Sequence, residues 1–267
     1  MYKYRTMVEV VTYANKSFGM FEDLINNDFG VKVKVLGWGT KWHGYTDKSK
    51  GLLKYLQNKR DKDIIVFVDG FDTKINKSIE NVAKMFKQCE CKVLLSRDPQ
   101  VLGKHITNHI FGTCTSTHVG NAGMFMGYAK ELKLMMKDAI SMGCKDDQIN
   151  LNRLCGKYDF IKVDENDLIF KNFGPRERET STNAVFVSFP GNMNIKRWSR
   201  AVPEYAQFFY LHILFVNVLL LAALPKRTKP LLLSLALIAV YYIIFADRSC
   251  TTVSYTHLTL PTRAVVV

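Results

Sequence analysis

The strongest constraint on the fold is one unbroken apolar segment that ends in acidic residues. Residues 64–68 read Ile-Ile-Val-Phe-Val. Such a run, mostly β-branched and without a polar break, predicts a strand buried on both faces, as in a parallel sheet covered by helices. Asp69 and Asp72 follow at once, and Gly70 between them permits a tight turn. Because ligands bind beyond the carboxyl ends of such strands, both carboxylates are expected at the mouth of a crevice.

Two carboxylates in this position have a specific chemical use. Hard oxygen donors suit Mg²⁺ or Mn²⁺, and such a cation typically holds the phosphates of a substrate. The competing interpretation is an acidic turn without a ligand, because Asp is common in turns. The local pattern alone leaves both interpretations open.

Apolar segments and amphipathic segments alternate along residues 7–192. The predicted strands are 7–13, 31–36, 64–68, 92–96, 121–128, 160–163, 168–170 and 184–189, and the predicted helices are 19–27, 48–59, 79–87, 129–142 and 144–155. Residues 97–117 have no clear periodicity. The order predicts an α/β fold with a mostly parallel sheet, right-handed crossovers and helices on its faces.

The net charge is strongly positive, at +13 over 267 residues. The lysines are scattered and form neither a block nor a groove interleaved with aromatic residues, so no nucleic-acid partner is predicted. A basic surface that attracts a sugar-nucleotide diphosphate or anionic lipid explains the charge equally well.

The six cysteines show no spacing typical of a zinc site. Cys89 and Cys91 are separated by one residue, which is a poor geometry for bonding to each other. Free thiols in a reducing compartment are therefore expected, although the even number leaves disulfides open. Residues 1–5 have no apolar segment behind their charges, so no cleavable signal peptide is predicted.

The character of the chain changes after a basic linker at residues 193–204. Residues 205–224 carry no formal charge, and this length suffices to cross a bilayer as a helix. A short basic turn and a second apolar run at residues 231–246 follow. The sequence therefore predicts a two-helix transmembrane hairpin at 205–246 and an integral membrane localisation. A soluble helical pair is the alternative, and positive residues on both sides leave the orientation open.

The final residues belong to neither part. Residues 253–262 resemble a translated sequencing adapter. Residues 247–267 are accordingly predicted to be a disordered tail, foreign to the fold from about residue 251.

A series of short motifs carries a family resemblance. In order, the chain contains VLGWG at 35–39, Trp42, Lys50, FVDGFD at 67–72, NAGMFMG at 121–127 and DDQ at 146–148. The series resembles the glycosyltransferase domain of the lysyl hydroxylases and the related procollagen glycosyltransferases. It implies a GT-A fold with a Rossmann-type sheet over residues 1–192. It also implies transfer of a hexose, galactose or glucose, from a UDP-sugar to a hydroxyl of a protein or glycan acceptor.

The resemblance also implies roles for individual residues. Asp69 and Asp72 would hold Mn²⁺ (or Mg²⁺), which offsets charge on the leaving diphosphate. Asp146 and Asp147 would face the sugar and acceptor, one orienting hydroxyls and the other acting as a base if the mechanism inverts. The implied donor-binding residues are Thr12 beside the uridine, Phe71 beside the uracil, Trp42 and Lys50 in the donor pocket, and Asn121, Gly123 and Gly191.

One residue departs from the family pattern. Relatives carry a metal-binding His before a glycine-containing turn, whereas this chain has Ser188 there. A hydroxyl is a weaker ligand for Mn²⁺ than an imidazole. Three outcomes are open: a looser metal site, replacement of the ligand by a residue such as His118, or lost activity. Ser188 therefore leaves one alternative function open, a catalytically inactive sugar-nucleotide-binding relative. A membrane-anchored interaction scaffold, whose α/β domain binds a protein partner, is a separate alternative.

Overall fold

The computed structural model describes residues 8–115, 117–174, 177, 181–190, 205, 207–223, 233, 236–237 and 250. The chain divides into two compact units, Met1–Trp198 and Ser199–Val267. The first unit contains all nine described strands and six helices.

The strands and helices of the first unit alternate along most of its length. The strands are β1 (Val8–Tyr13), β2 (Val33–Leu36), β3 (Ile64–Asp69), β4 (Thr73–Ile75), β5 (Val93–Arg97), β6 (Gly120–Tyr128), β7 (Ile161–Asp164), β8 (Phe170–Asn172) and β9 (Phe186–Ser188). The helices are α1 (Phe21–Ile25), α2 (Thr46–Leu56), α3 (Val82–Gln88), α4 (Lys104–Phe111), α5 (Ala129–Ser141) and α6 (Asp147–Cys155).

The main sheet has six strands in the order β2-β1-β3-β6-β5-β7. Strand β1 pairs in parallel with β2 and β3, and β5 pairs in parallel with β7. This confirms the predicted α/β fold with a mostly parallel sheet. Strand β6 runs antiparallel to both of its neighbours, with Met124 opposite Val68 and Gly120 opposite Arg97. Because of this reversal, the first residues of β6 lie at the carboxyl ends of β3 and β5.

Strand β3 is buried on both faces, as its sequence predicts. None of its five apolar residues is more than 2% exposed. Ile65 and Phe67 pack into one core with residues of α2, α5 and α6, and Val66 packs into a second core with residues of α1 and α3. Fully burying one such side chain stabilises a fold by roughly 1.5–3 kcal/mol. The turn after β3 is therefore anchored to the most buried strand of the sheet.

A second sheet of three short strands has the order β4-β9-β8. It pairs Thr73 with Ser188 across antiparallel strands. The sequence did not reveal β4, because three residues directly after a turn show no periodicity. Helix α4 was also missed, and its limits are set by Gly103 and Gly112, whose φ angles are 87° and 77°.

The expectation of free thiols is wrong. Disulfides join Cys89 to Cys91 and Cys114 to Cys155, with Cα–Cα distances of 5.4 and 4.9 Å, and no cysteine in the described part of the chain is free. Glu90 adopts a left-handed conformation, φ 52°, which reverses the chain and brings its two neighbours together. The inference of a reducing compartment rested on free thiols and loses its basis.

The second unit contains a 3₁₀ turn at Gln207–Phe209 and helix α7 (Tyr210–Ala223). The helix is apolar, and its one amide, Asn217, donates a hydrogen bond to the carbonyl of Ile213 at 2.8 Å. No helix within the described residues is both long and apolar enough to span a membrane. The linker 193–204, most of 224–246 and the tail 251–267 lie outside the described residues.

Candidate functional site

Asp69 ends β3 and is held on both oxygens of its carboxylate. One oxygen accepts a hydrogen bond from the backbone N–H of Phe71 at 3.2 Å, and the other accepts from the ammonium of Lys48 at 2.8 Å. The turn after Asp69 needs a glycine, because a Cβ on Gly70 would lie 2.9 Å from the hydroxyl of Thr12. The most buried strand of the sheet thus ends in a fixed, partly exposed carboxylate.

Asp72 stands directly before β4 and contacts the second sheet. Its carboxylate accepts a hydrogen bond from the hydroxyl of Ser188 at 3.1 Å, and its carbonyl accepts from the backbone N–H of Phe189 at 2.8 Å. Ser188 therefore contacts the predicted metal carboxylate, as the family pattern implies for this position. His118, the residue considered as a replacement ligand, contacts Thr117 and Glu165.

The two acidic residues at the start of α6 are used differently. Asp146 is the N-cap, and its carboxylate accepts from the backbone N–H of Ile149 at 3.0 Å. Such a cap satisfies one of the free N–H groups of the first helical turn. Asp147 is the first helical residue, and its carboxylate lies 3.5 Å from the ammonium of Lys48. Asp146 is thus a capping residue, whereas Asp147 shares an ion pair with the β3 turn.

Lys48 links the two acidic motifs and was not identified from the sequence. Its ammonium lies between Asp69 and Asp147, and its side chain is only 14% exposed. Burial alone would lower the pKa of Lys48, but Asp69, Asp147 and, with a smaller effect, Asp72 raise that pKa above its ordinary value. The side chain therefore keeps its positive charge at neutral pH.

A sequence signal for Lys48 exists in the periodicity of α2. Ser49, Leu52 and Leu56 are the buried residues of this helix, and Lys48 lies four residues before Leu52, on the same face. Lys50, the predicted donor-pocket lysine, is exposed. Both lysines lie within the predicted helix, 48–59, as well as in the observed one, and Lys50 was assigned through the family resemblance without use of this periodicity.

A network of side-chain amides joins the start of β6 to α6. Asn121 accepts from the backbone N–H of Gly123 at 2.7 Å and donates to Gln148 at 3.2 Å. Gln148 donates to Asp98 at 2.8 Å. Burial raises the pKa of Asp98, against the opposing effect of hydrogen bonds from Gln100, Gln148 and Asn121.

Gly123 leaves room beside the first acidic residue. A Cβ at this position would lie 3.8 Å from the Cβ of Asp69 and 2.8 Å from the side-chain oxygen of Asn121. The reversed strand β6 thus brings Asn121 and Gly123 to the carboxylate that follows β3.

The remaining predicted donor residues have different environments. Thr12 is fully buried, and its hydroxyl donates to the carbonyl of Val68 at 2.8 Å. The ring of Phe71 packs edge-on against Phe18, with centroids 5.9 Å apart. Gly191 lies outside the described residues.

Exposed aromatic rings lie close to Lys48. Trp42 is 39% exposed and has its ring centroid 5.9 Å from that of Tyr13 and 6.0 Å from that of Tyr45. The ammonium of Lys48 lies 5.4 Å from the ring centroid of Tyr45. Trp42 is thus connected to Asp69 and Asp147 through Tyr45 and Lys48.

The oxygen ligands fit one mode of divalent-cation binding. Within the described residues no three His, Cys, Asp or Glu side chains form a cluster that could hold a metal ion. Mg²⁺ is commonly bound by one or two carboxylates together with substrate phosphates and water. Asp69 and Asp72 can supply two such carboxylates, and the metal site remains a prediction.

The chain is similar to solved structures at low sequence identity. Two solved structures of the galactosyltransferase LgtC, one in complex with donor and acceptor sugar analogs and one of an active-site mutant, share 11% and 12% sequence identity with the chain. The matches cover 84% and 73% of this chain and 99% and 94% of those chains, and both TM-scores are 0.43. No curated protein sequence matches.

The family assignment rests on sequence, because the TM-scores to LgtC are low. The family model described as the PLOD GT domain matches residues 3–186, which is more than half of the chain and includes Asp69, Asp72 and Asp147. The chain therefore belongs to the PLOD GT-domain family, and it is a glycosyltransferase.

Proposed function

We propose that this glycosyltransferase moves a hexose, galactose or glucose, from a UDP-sugar to a hydroxyl of a protein or glycan acceptor, with Mn²⁺ or Mg²⁺ at the donor diphosphate. The observation that carries the proposal is the convergence of Asp69, Asp147 and Lys48 at the carboxyl end of β3. Ligands of α/β sheets bind at this edge.

The acidic turn after β3 is suited to the donor diphosphate. Asp69 and Asp72 would hold the cation, which supplies Lewis-acid stabilisation of charge on the leaving nucleotide. Lys48 keeps a positive charge beside the same turn. Charge in a partly buried site interacts more strongly than charge in bulk water, so Lys48 also favours an anionic ligand there.

The start of α6 is suited to the sugar and the acceptor. Asp147 has a carboxylate that the helix cap does not use. This carboxylate would orient a sugar hydroxyl or accept the proton of an acceptor hydroxyl. Asp146 acts indirectly, because its cap fixes the first turn of α6 and thereby the position of Asp147. Asn121 and Gln148 add amide groups, which are oriented by the network to Asp98.

One observation favours a second function, nucleotide binding without sugar transfer. Ser188 is 2% exposed and donates its hydroxyl to Asp72. A neutral hydroxyl in this position is a weak replacement for an imidazole ligand. A loosely held cation would still support nucleotide binding while stabilising the leaving diphosphate poorly.

Hydrolysis of UDP-sugars by the full chain tests the proposal. A panel of UDP-sugars would be incubated with and without Mn²⁺, and release of UDP measured. The expected result is Mn²⁺-dependent release with one preferred hexose, abolished by Asp72→Asn and retained by the matched control Asp159→Asn, which alters an exposed carboxylate. Nucleotide binding without turnover would favour the inactive relative, and no nucleotide binding would favour the scaffold.

We also propose that residues 205–246 attach the protein to a membrane. The support is the uncharged run at 205–224 and the exposed apolar side chains of α7, among them Phe215 and Leu219. Carbonate extraction of membranes from expressing cells tests this. Retention in the pellet is expected, and release into the supernatant would contradict the anchor.

A further inference from the structure

We infer that Lys48 is an internal counter-cation, which competes with a divalent cation for Asp69 and so makes that cation bind strongly only together with a nucleotide diphosphate. The inference rests on the proposed function, because it takes Asp69 and Asp72 as the ligands of the cation. The inference gives a role to Lys48, to which the sequence motifs assign none.

The ammonium of Lys48 is in direct contact with Asp69. Lys48 lies 2.8 Å from one oxygen of Asp69 and 3.5 Å from one oxygen of Asp147, and the three side chains are between 14% and 18% exposed. The other oxygen of Asp69 accepts from the backbone N–H of Phe71. A cation that coordinates Asp69 must therefore share this carboxylate with a positive charge already in contact with it.

The side chains around Lys48 carry an excess of negative charge. Asp69, Asp72 and Asp147 carry three negative charges, and all three act on the single positive charge of Lys48. The cluster attracts a divalent cation, but Lys48 repels it at short range, where little water screens the two charges. A nucleotide diphosphate brings negative charge that both the cation and the ammonium can contact. The cation and the nucleotide should consequently bind more tightly together than separately.

The coupling is reciprocal by thermodynamic necessity. If UDP raises the affinity for Mn²⁺ by some factor, Mn²⁺ raises the affinity for UDP by the same factor. Removing the charge of Lys48 should strengthen Mn²⁺ binding in the absence of nucleotide and reduce this factor. A residue of α2 with only a structural role would change neither quantity in this pattern.

The test is Mn²⁺ binding to the full chain, measured by electron paramagnetic resonance with and without UDP. The neutral variants are Lys48→Gln and Lys48→Met, and Lys48→Arg retains the charge. The matched control is Lys54→Gln, an exposed lysine on the same helix. Thermal unfolding verifies that each variant is folded.

We expect both neutral variants to lower the Kd for Mn²⁺ alone at least about tenfold, the scale of removing one nearby like charge. They should also reduce the enhancement by UDP, while Lys48→Arg and Lys54→Gln resemble the unchanged protein. Unchanged or weaker Mn²⁺ binding in the neutral variants would overturn the inference, as would loss of folding in both, which would assign Lys48 to stability. If the unchanged chain binds no Mn²⁺ even with UDP, the metal of the proposed function fails together with the inference.

Discussion

The chain has two acidic motifs, DGFD at residues 69–72 and DD at residues 146–147, and the structure uses them differently. In the first, a glycine turn separates the carboxylates, and one ends a strand while the other contacts Ser188 of the second sheet. In the second, the carboxylates are adjacent, and one of them is used as a helix cap. The backbone between two acidic residues, more than their number, decides how many remain available to a ligand.

Lys48 connects the two acidic motifs. It contacts Asp69 of the first motif and Asp147 of the second, at 2.8 and 3.5 Å. Among the four carboxylates, the cap at Asp146 is the one to which we assign a structural role. Substitutions at the four positions should therefore separate into three that affect binding or turnover and one that affects stability.

The largest effect is expected for the first motif. Asp69→Asn should reduce turnover of the UDP-sugar at least about a hundredfold. The substitution removes a negative charge that holds the cation, and the cation offsets the charge on the leaving diphosphate. Steady-state kinetics at saturating Mn²⁺ would measure the loss. Turnover within a few fold of the unchanged enzyme would show that this turn is not the metal site.

Asp147→Asn should affect turnover with little effect on nucleotide binding. An amide can still orient hydroxyls but cannot accept a proton, so turnover should fall by about a hundredfold, within the range of general-base catalysis. The UDP affinity, measured by calorimetry, should stay close to that of the unchanged chain. A parallel loss of UDP affinity would place Asp147 at the nucleotide instead.

Ser188→His should strengthen Mn²⁺ binding. An imidazole that replaces the hydroxyl beside Asp72 is a better ligand, and a gain of about tenfold in affinity is expected from the added ligand. Ser188→Ala serves as the control and should give no gain. Unchanged affinity in a folded Ser188→His variant would mean that this position does not face the metal.

The smallest effect is expected at Asp146. Asp146→Ala should lower the free energy of unfolding by about 1 kcal/mol, the usual cost of losing an N-cap. Asp146→Ser should retain most of the stability, because serine also caps helices well. Chemical denaturation of both variants tests this, and a greater loss of turnover at Asp146 than at Asp147 would reverse the assignment of the two residues.

The sequence predicted the parts of the fold that depend on local pattern. The apolar run of β3 and its acidic end were correctly placed, because burial on both faces leaves a clear signature.

Other features depend on contacts between distant parts of the chain. The reversal of β6 and the pairing of Thr73 with Ser188 are set by long-range strand contacts. The Cys114–Cys155 disulfide joins residues 41 positions apart. Lys50 came from the family resemblance, whereas the position of Lys48 between Asp69 and Asp147 depends on how α2 packs beside β3 and α6.

The most direct test of the account is the affinity for UDP, measured by calorimetry on the full chain with Mn²⁺ and with a chelator. The account predicts that Mn²⁺ tightens UDP binding at least about tenfold, and that Asp72→Asn removes this gain. Equal UDP affinity with and without Mn²⁺ would contradict the proposal that the acidic turn after β3 holds a cation. A gain in UDP affinity that persists in Asp72→Asn would contradict it as well.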